Sequence, residues 1–577
     1  MKEQIEKIIK EALKNLDVEE VNFNVEHPED VKNGDYSTNV AMVCAKQLKT
    51  NPREVAEKIK RELEKDLPKQ IEKVEVAGAG FINFYLSRDF FSDSIKNILD
   101  KKDDWGKNDL LKGQKIMVEY TDPNPFKPFH IGHLMTNAIG ESVSRVVEFS
   151  GAETIRANYQ GDVGLHVAKA IYGLMKFGLP TGQAGMPDLN KSSSEQAQYI
   201  GECYSKASNL YETDESIKKE IDEINKKVYR KSDEEINKIY EWGRKVTLLA
   251  FEDIYKLLGT KFNPDCYYFE SMMMHIGEEI VRSNLGKIFK ESDGAIIFPA
   301  EEYDSKLHTR VFITSQGLPT YETKEIGLTV TKFEKKNPDT SIVVTAIEQG
   351  EYMKVVQKAI SLIHPDYEKR MKHITHGMMK FASGKMSSRK GNIITGESLL
   401  RDSMNIVLEK MNERELSEED KKNISEIVGV SALKYSILKS SLGSDIIYDF
   451  DKSISFDGDS GPYLQYTAVR ANSILEKAKG FNHEDRPLLT PEEVTGLEKL
   501  LYQFPEVVEH SYSLLEPHHI ATYLTALASE FNTFYGNTKI LVDENKYINY
   551  HLNLVKAFYQ TMKNGLYLLG IKTPEKM

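Results

Sequence analysis

The sequence predicts an α/β fold: a Rossmann-type parallel-sheet catalytic domain with a helical insertion, preceded by an N-terminal α/β domain and followed by an all-α helical bundle. Two observations predict it. In the middle of the chain, short apolar runs bounded by Gly or Pro alternate with helix-period patterns, as in βαβ units. Beyond about residue 400 the periodic segments are helical. We expect domains at 1–108, at 109–400 with the insertion at about 190–300, and at 401–577.

The composition is that of a globular protein with several cores, since the 577 residues are 40% hydrophobic and 28% charged. No apolar run is long enough to cross a bilayer, and the first residues form an amphipathic pattern without a signal-peptide core, so we expect a cytoplasmic protein that does not contact membranes. The net charge of −12 argues against general coating of nucleic acid but permits local basic contacts.

The three cysteines, Cys44, Cys203 and Cys266, are too few for a disulfide framework and too far apart for a metal cluster. We therefore predict no metal site and no structural zinc.

The first 108 residues have the pattern of a small α/β module. Helical patterns at 40–48 and 52–63 precede two strand-like runs that are joined by a Gly-rich turn at 77–80. Alternation along the second strand places three side chains on one face, where they could stack on bases: Phe81, Asn83 and Tyr85. The alternative is an ordinary sheet with one solvated face.

A strand–turn–helix pattern near residue 125 predicts a nucleotide-binding turn. At such a junction in a parallel sheet, the helix presents unpaired N–H groups and a partial positive charge to phosphates. His130 and His133 are three residues apart, so they can donate hydrogen bonds to one polyphosphate. Gly132 lets a base or ribose approach the backbone, and Lys127 adds a cation. The alternatives are a metal pair or two surface histidines.

Later strands are expected to complete the site. Three strand-like runs should rejoin the sheet, at 295–298, 309–313 and 341–345. Parallel strands end at one edge, so Tyr321, Glu325 and Glu348 can face the turn at His130. With Glu119, these groups would suit a cationic side chain, although each acid alone is more often a surface carboxylate.

A second motif lies in the loop at 382–392, which has glycines near both ends and combines cations with hydroxyls. Its central residues are Lys385, Met386, Ser387, Ser388, Arg389 and Lys390. This composition suits polyphosphate binding by a mobile loop, and the alternative is a basic surface loop.

The C-terminal bundle has one stretch in which aromatic and polar residues interleave. Its side chains Tyr463, Gln465, Tyr466 and Arg470 would suit stacking on unpaired bases, although most aromatics of a bundle belong to its core. A helix is also predicted to begin at Thr490, because Thr-Pro-Glu-Glu reads as a capping box.

The two motifs His130-Ile131-Gly132-His133 and Lys385-Met386-Ser387-Ser388 together resemble the two signatures of class I aminoacyl-tRNA synthetases. Further stretches resemble the arginyl-tRNA synthetases in particular, in matching order along the whole chain: 34–39, 78–83, 123–130, 461–466 and 565–571. The resemblance implies a ligase that uses ATP with Mg²⁺ to join L-arginine to its tRNA through an adenylate, acting as a monomer.

The resemblance also implies roles for residues. Catalysis and ATP binding would fall to the cations and the two motifs, namely Lys127, His130, Gly132, His133 and the loop residues from Lys385 to Lys390. Arginine would be bound by Glu119, Asn124, Tyr321 and Glu325, with Glu348 or Gln349. The tRNA would be contacted by Asn83, Tyr85, Tyr463, Gln465, Tyr466 and Arg470.

The chain departs from the family pattern at three places. Ser388 stands where class I enzymes have a second lysine, and Lys127 is the candidate replacement. Glu325 stands where an Asp is usual, and the segment ending in Glu348-Gln349 leaves open which of the two contacts substrate. Lysine as the amino acid, a non-catalytic tRNA-binding protein and a small-molecule nucleotidylyltransferase are the alternatives.

Overall fold

The computed structural model describes residues 1–18, 21–28, 30–177, 191–382, 394–412 and 414–577. The chain forms two compact units. The first comprises residues 1–105, 470–505 and 526–562, and the second comprises 106–469, 506–525 and 563–577. Each unit draws on more than one of the domains predicted above, so that division stays a prediction.

The strands are β1 Val25–Glu26, β2 Tyr36–Thr38, β3 Ile71–Ala77, β4 Phe81–Leu86, β5 Lys115–Glu119, β6 Glu153–Gln160, β7 Tyr267–Phe269, β8 Lys290–Ser292, β9 Ala295–Phe298, β10 Arg310–Ile313, β11 Thr340–Ala346, β12 Met371–His376, β13 Met379–Phe381 and β14 Ile446–Tyr448.

The helices are α1 Lys2–Asn15, α2 Val40–Leu48, α3 Pro52–Leu63, α4 Arg88–Lys101, α5 Ile131–Phe149, α6 Leu165–Phe177, α7 Ser193–Thr213, α8 Glu215–Arg230, α9 Glu234–Leu258, α10 Glu270–Ser283, α11 Tyr321–Lys336, α12 Gly350–Ile363, α13 Gly396–Lys410, α14 Glu418–Leu438, α15 Phe450–Ser453, α16 Gly461–Ala478, α17 Gly496–Leu501, α18 Phe504–Leu514, α19 His518–Asn537 and α20 Ile548–Leu568. Among the described helices, none has the length and apolarity that crossing a membrane requires.

The first unit contains a four-stranded antiparallel sheet in the order β1-β2-β4-β3. The predicted helices are confirmed: α3 begins with Pro52 at its first turn, and the Asn51 side chain accepts a hydrogen bond from the Arg53 N–H. The predicted hairpin between β3 and β4 is also confirmed, with Gly78 and Gly80 in positive-φ conformations.

The helix predicted to begin at Thr490 is wrong. The nearest helix, α17, begins after Thr495, whose hydroxyl and Glu498 form a reciprocal capping box. Both stretches carry Thr-x-x-Glu, but Glu498 also accepts hydrogen bonds from Arg88 and Tyr550 within the same unit. These tertiary contacts favour the second start over the first.

The second unit is organised around a five-stranded parallel sheet in the order β12-β11-β5-β6-β7. The runs at 295–298 and 309–313 were expected in this sheet, and that expectation is wrong. They pair as β9 and β10 in a separate antiparallel sheet with β8. Asp293 and Gly294 both have positive φ between β8 and β9, and Asp-Gly is the preferred sequence for such a tight hairpin turn.

The long helices α7 to α9 lie between α6 and β7, where the insertion was predicted. They pack around a core of their own that includes Ile200, Ile221 and Ile239. The parallel sheet is rejoined earlier than expected, at β7, because a three-residue strand inside a helix-rich stretch gives little periodic signal.

Candidate active site

At β5 the order in which successive strands are added to the parallel sheet reverses, which makes its carboxyl end a topological switch point. From β5 the strands β6 and β7 lie on one side, and β11 and β12 lie on the other. In open parallel sheets, the crevice outside such a switch point is where ligands bind. The segment that leaves β5 and enters α5 therefore faces the favoured binding position.

This segment has an unusual backbone. Thr121, Asp122 and Phe126 have φ of 79°, 47° and 68°, a region that side chains other than Gly seldom adopt. Such residues cost on the order of 1–3 kcal/mol each and persist where the surroundings fix them. Here Asn137 donates to the Thr121 hydroxyl at 2.9 Å, and the Tyr159 N–H donates to the Asp122 carboxylate at 2.7 Å. The loop is thus held in a strained shape, as is common at functional sites.

His130 and His133 form the start of α5 in a reciprocal arrangement. The His133 N–H donates to Nδ1 of His130 at 3.4 Å, and the His130 N–H donates to Nδ1 of His133 at 3.2 Å. The two rings stack with their centroids 3.4 Å apart. The imidazoles therefore perform the task that Ser and Glu perform in an ordinary capping box.

This arrangement fixes the protonation of both rings. Because each Nδ1 accepts a backbone hydrogen bond, a neutral ring carries its proton on Nε2. Desolvation and the Lys127 ammonium lower the pKa of His130 to about 4, and burial lowers the pKa of His133 well below its usual value. At neutral pH the turn thus offers two Nε2–H donors on uncharged rings.

Gly132 serves the stacked pair directly. A Cβ at this position would lie 3.0 Å from Cε1 and 3.1 Å from Nδ1 of His130, which is tighter than nine in ten real Cβ contacts. The glycine predicted to admit a nucleotide therefore also makes room for the imidazole. Lys127 is partly exposed, with its ammonium 5.7 Å from the centre of the Tyr204 ring.

The predicted phosphate loop, with Lys385, Met386, Ser387, Ser388, Arg389 and Lys390, lies outside the described residues. Where the described chain resumes, it lies beside the imidazoles. The Gly396 N–H donates to the Phe129 carbonyl at 2.8 Å, and a Cβ on Gly396 would lie 2.8 Å from the His130 carbonyl oxygen. Gly396, the first residue of α13, is therefore anchored at the nucleotide turn.

A group of acids, which we call the acidic pocket, lies at the same sheet edge and comprises the buried Glu119, Glu270 and Glu325 and the partly buried Asp122. Two buried lysines pair with two of these acids. Lys332 donates to Glu119 at 2.7 Å, and Lys324 donates to Glu270 at 2.7 Å. All four of these paired residues are at most 5% exposed. Four carboxyl groups thus face two ammonium groups, which leaves two carboxyl groups without a lysine partner.

Glu325 is the acid that the missing positive charge affects most. It is 6% exposed, and no donor in the described part of the chain forms a hydrogen bond or ion pair with its carboxylate. Burial and the nearby Glu119 raise the pKa of Glu325 to about 8. A buried carboxyl group in this state would be stabilised as a carboxylate by an incoming cation.

Two tyrosines line the acidic pocket. The Tyr159 hydroxyl is buried and has no hydrogen-bond partner within the described ranges, and burial together with Glu270 and Glu325 raises its pKa well above the usual value. Tyr352 donates to the Tyr321 carbonyl at 3.2 Å, and burial and Glu325 raise its pKa in the same way.

The remaining predicted arginine contacts differ in their positions. Asn124 lies against Gly161, where a Cβ would come within 2.3 Å of the Asn124 side-chain oxygen. Tyr321 is 61% exposed and lies one helical turn before Glu325 on α11. Glu348 and Gln349 are exposed in a short 3-10 helix that follows β11, so the structure leaves both able to reach a ligand.

Sequence reasoning missed Glu270, Lys324, Lys332 and Tyr159. Glu270 lies in the stretch predicted as insertion, and the lysines lie on α11, where each reads as an ordinary helix cation. Their pairing depends on the packing of α11 with β5 and α10 and leaves no local signal. Asp162 is fully buried and accepts four hydrogen bonds, two from the N–H and hydroxyl of Ser271 and one each from Tyr240 and Arg244.

The predicted tRNA contacts are unequal in exposure. Asn83 is 3% exposed and accepts a hydrogen bond from Ser37, and Gln465 is fully buried and donates to the Lys572 carbonyl at 2.6 Å. Tyr85, Tyr463, Tyr466 and Arg470 are partly exposed. The roles of all six residues stay predictions, and burial counts against Asn83 and Gln465.

Comparison with known protein families gives matches along the whole chain. A model described as "tRNA synthetases class I (R), catalytic domain" matches residues 94–450. The "DALR anticodon binding domain" matches residues 464–577, and the "Arginyl tRNA synthetase N terminal domain" matches residues 3–86.

Relatives and solved structures agree with these matches. The chain is 31% identical to an arginine–tRNA ligase of Halothermothrix orenii, with 100% of this chain and 99% of the relative covered. It is 33% identical to one of Fusobacterium nucleatum, over 94% and 93% of the two chains. In fold it is similar to arginyl-tRNA synthetase of Thermus thermophilus, with a TM-score of 0.81, 23% identity and complete coverage of both chains. The chain therefore belongs to the arginyl-tRNA synthetase family of class I aminoacyl-tRNA synthetases.

Proposed function

We propose that this chain is an arginine–tRNA ligase, which activates L-arginine with ATP and transfers the arginyl group to tRNA. The observation that carries this proposal is the acidic pocket beside the turn that contains His130 and His133, which we call the imidazole turn. Its uncompensated carboxyl groups suit a guanidinium, which is always charged and offers five donors in a planar fork.

The first step needs no protein nucleophile. An arginine carboxylate oxygen attacks the α-phosphorus of ATP, and the bond to the bridging oxygen breaks to release pyrophosphate. The Nε2–H groups of His130 and His133 would donate to phosphate oxygens as negative charge grows there. Donors that are fixed before the reaction cost no reorganisation, and the capping arrangement fixes these two.

Arginine would be held at both ends. Glu325 and Glu119 would accept from the guanidinium, with the Tyr159 hydroxyl as a further partner, while Asn124 would hold the α-amino group. Two fixed ends place the carboxylate at the α-phosphate, which lowers the entropic part of the barrier.

Further cations would neutralise the leaving pyrophosphate. Lys127 is already near the imidazoles, and the chain that follows the loop with Lys385 is held beside them at Gly396. Mg²⁺ would enter with ATP as a substrate complex, because phosphate oxygens supply the hard ligands that it prefers.

In the second step, a hydroxyl of the terminal tRNA ribose attacks the arginyl carbonyl carbon and AMP leaves. The exposed tRNA candidates Tyr85, Tyr463, Tyr466 and Arg470 would contact the tRNA. We propose that the enzyme acts in the cytoplasm. We also propose that it is a monomer, and sedimentation of the free chain and of its tRNA complex would test this oligomeric state.

Pyrophosphate exchange into ATP tests the function. With each amino acid offered separately, with and without tRNA, we expect exchange with arginine in the presence of tRNA and little without it. Exchange with lysine but not arginine would show that the acidic pocket selects a different cation. Absence of exchange with every amino acid, while tRNA still binds, would indicate a non-catalytic tRNA-binding protein.

A further inference from the structure

A second cluster of chemically active side chains lies far along the chain from the active-site motifs, at the turn between α18 and α19. Glu516, His518 and His519 each direct one ligand atom to a common point, and these three atoms lie within 4.8 Å of one another. All three residues are partly buried. In the described part of the chain this is the one such group of three metal-ligating residues.

The distances within the cluster match those of a metal site. Nδ1 of His518 is 3.2 Å and Nε2 of His519 is 3.6 Å from the same oxygen of Glu516. Tetrahedral Zn²⁺ with ligands about 2.0–2.1 Å from the ion holds neighbouring ligand atoms about 3.3 Å apart. The observed separations bracket that spacing.

Nδ1 of His518 and Nε2 of His519 form no hydrogen bond to any other described residue. Both are buried atoms without a hydrogen-bond partner among the described residues. A buried polar atom without a partner is costly, and a bound ion would satisfy both nitrogens at once.

The backbone holds the three ligands in place. The Glu516 N–H donates to the Ser511 carbonyl at 3.0 Å, and the Ser511 hydroxyl donates to the Glu516 carbonyl at 3.0 Å. His518 and His519 lie in the first turn of the 20-residue helix α19. Metal binding would therefore need little rearrangement of the chain.

We propose that Glu516, His518 and His519 bind one divalent transition-metal ion, for which Zn²⁺ fits the ligand set, with water as the fourth ligand. Two imidazoles and one carboxylate are a common protein set for this ion. The prediction of no zinc rested on the cysteines. Glu-Pro-His-His lacks the spacing of the usual zinc motifs, and its ligands converge only through the turn. The ion would stabilise the turn that joins α18 to α19 by linking Glu516 to the first turn of α19.

Cobalt substitution tests the proposal on the full-length chain after treatment with a chelator and dialysis. We expect one Co²⁺ per chain with the absorption of a tetrahedral site, displacement by Zn²⁺, and a rise in unfolding temperature with Zn²⁺. His519→Ala should weaken binding by about 100-fold or more, because even the loss of an outer partner costs 10–100-fold. His308→Ala removes an exposed histidine elsewhere and should leave binding unchanged.

Two outcomes would overturn the proposal. Absence of tetrahedral Co²⁺ absorption in the unmodified chain would mean that the cluster is an ion pair only. Equal binding by the unmodified chain and by a variant with both His518→Gln and His519→Gln would place the metal elsewhere. The Gln variants keep most of the side-chain volume, and circular dichroism would show that they are folded if the Ala variant is not.

Discussion

The imidazole turn and the acidic pocket lie at one edge of the same sheet. They differ in how many of their polar groups have a hydrogen-bond or ion-pair partner within the protein. In the turn, each Nδ1 accepts a hydrogen bond from the other histidine's backbone, and both rings are neutral. In the pocket, two lysines balance two of four acids, and Glu325 is left without a donor in the described chain.

We propose that this difference matches the two ligands, ATP at the turn and the amino acid at the pocket. ATP is the substrate of every enzyme of this class. A turn whose donors are already fixed before ATP binds can therefore be used by each of these enzymes, whichever amino acid it selects. The amino acid must be selected, and a pocket with missing positive charge gains most from the ligand that supplies it. Discrimination is strongest where the wrong ligand leaves a buried group unpaired.

The largest expected effect concerns the internal balance of the acidic pocket. Lys332→Met would leave Glu119 buried without its partner, and removing one member of a buried ion pair costs about 3–5 kcal/mol. We expect a corresponding fall in the free energy of unfolding, measured with urea. Lys332→Arg should recover most of it. Glu325→Gln should raise the free energy of unfolding at pH 7, since the raised pKa means that the carboxyl group takes up a proton on folding, whereas an amide does not titrate. Equal stability of the Met variant would show that the pair contributes nothing.

The second prediction concerns the imidazole turn. His130→Asn keeps a good helix cap but removes the Nε2 donor, whereas His130→Ala removes both. Losing one preorganised donor reduces the rate about 100- to 1,000-fold, so both variants should lose pyrophosphate exchange to that extent while still binding tRNA. An Asn variant with normal exchange would mean that His130 serves only as a cap.

The third prediction concerns pH. The pKa of Glu325 is about 8 in the free protein, and a bound guanidinium lowers it, so the carboxylate form binds arginine better. Affinity should therefore rise with pH and level off above the free-state pKa, by about eightfold from pH 7 to pH 8.5 for one group with this pKa. Titration calorimetry in buffers of different ionisation enthalpy should detect the released proton. A flat profile would contradict the assignment, and Glu325→Gln should give one.

The smallest expected effect tests whether the unpaired Tyr159 hydroxyl in the acidic pocket forms a hydrogen bond to the ligand. The buried Tyr159 hydroxyl has no protein partner in the described residues, so Tyr159→Phe should not destabilise the free chain. If the hydroxyl bonds to arginine, the variant should bind it about fivefold more weakly, which corresponds to about 1 kcal/mol. Reduced stability with unchanged affinity would mean that the hydroxyl has a structural partner.

The imidazole turn could be predicted because its parts are consecutive in sequence. Strand, turn, glycine and helix lie in one short stretch, and the spacing of His130 and His133 places them in one helical turn. Even here, the reciprocal capping was not predicted, because His is not an expected cap. The acidic pocket could be predicted only in part. Glu119 and Glu325 were found, but Lys332 lies 213 positions from its partner.

The errors in the fold have the same origin. Strand β7 pairs with β6 across a long helical insertion, and three residues give no reliable period. Strands β9 and β10 look like sheet members by composition, yet the tight Asp293–Gly294 turn directs β9 to its neighbour β8. Local pattern predicts that a strand exists, while its partner depends on contacts that the pattern does not contain.

Competition between arginine and citrulline tests the central claim most directly. Citrulline has nearly the same shape but carries a neutral urea in place of the guanidinium. The unmodified chain should bind arginine more tightly by about 100-fold or more, as expected for a buried charge pair. Glu325→Gln should weaken arginine binding and leave citrulline binding nearly unchanged, with Glu334→Gln, an exposed site on the same helix, as the matched control. If Glu325→Gln preserved the preference for arginine, the unpaired carboxyl group of the acidic pocket would not be what selects the amino acid.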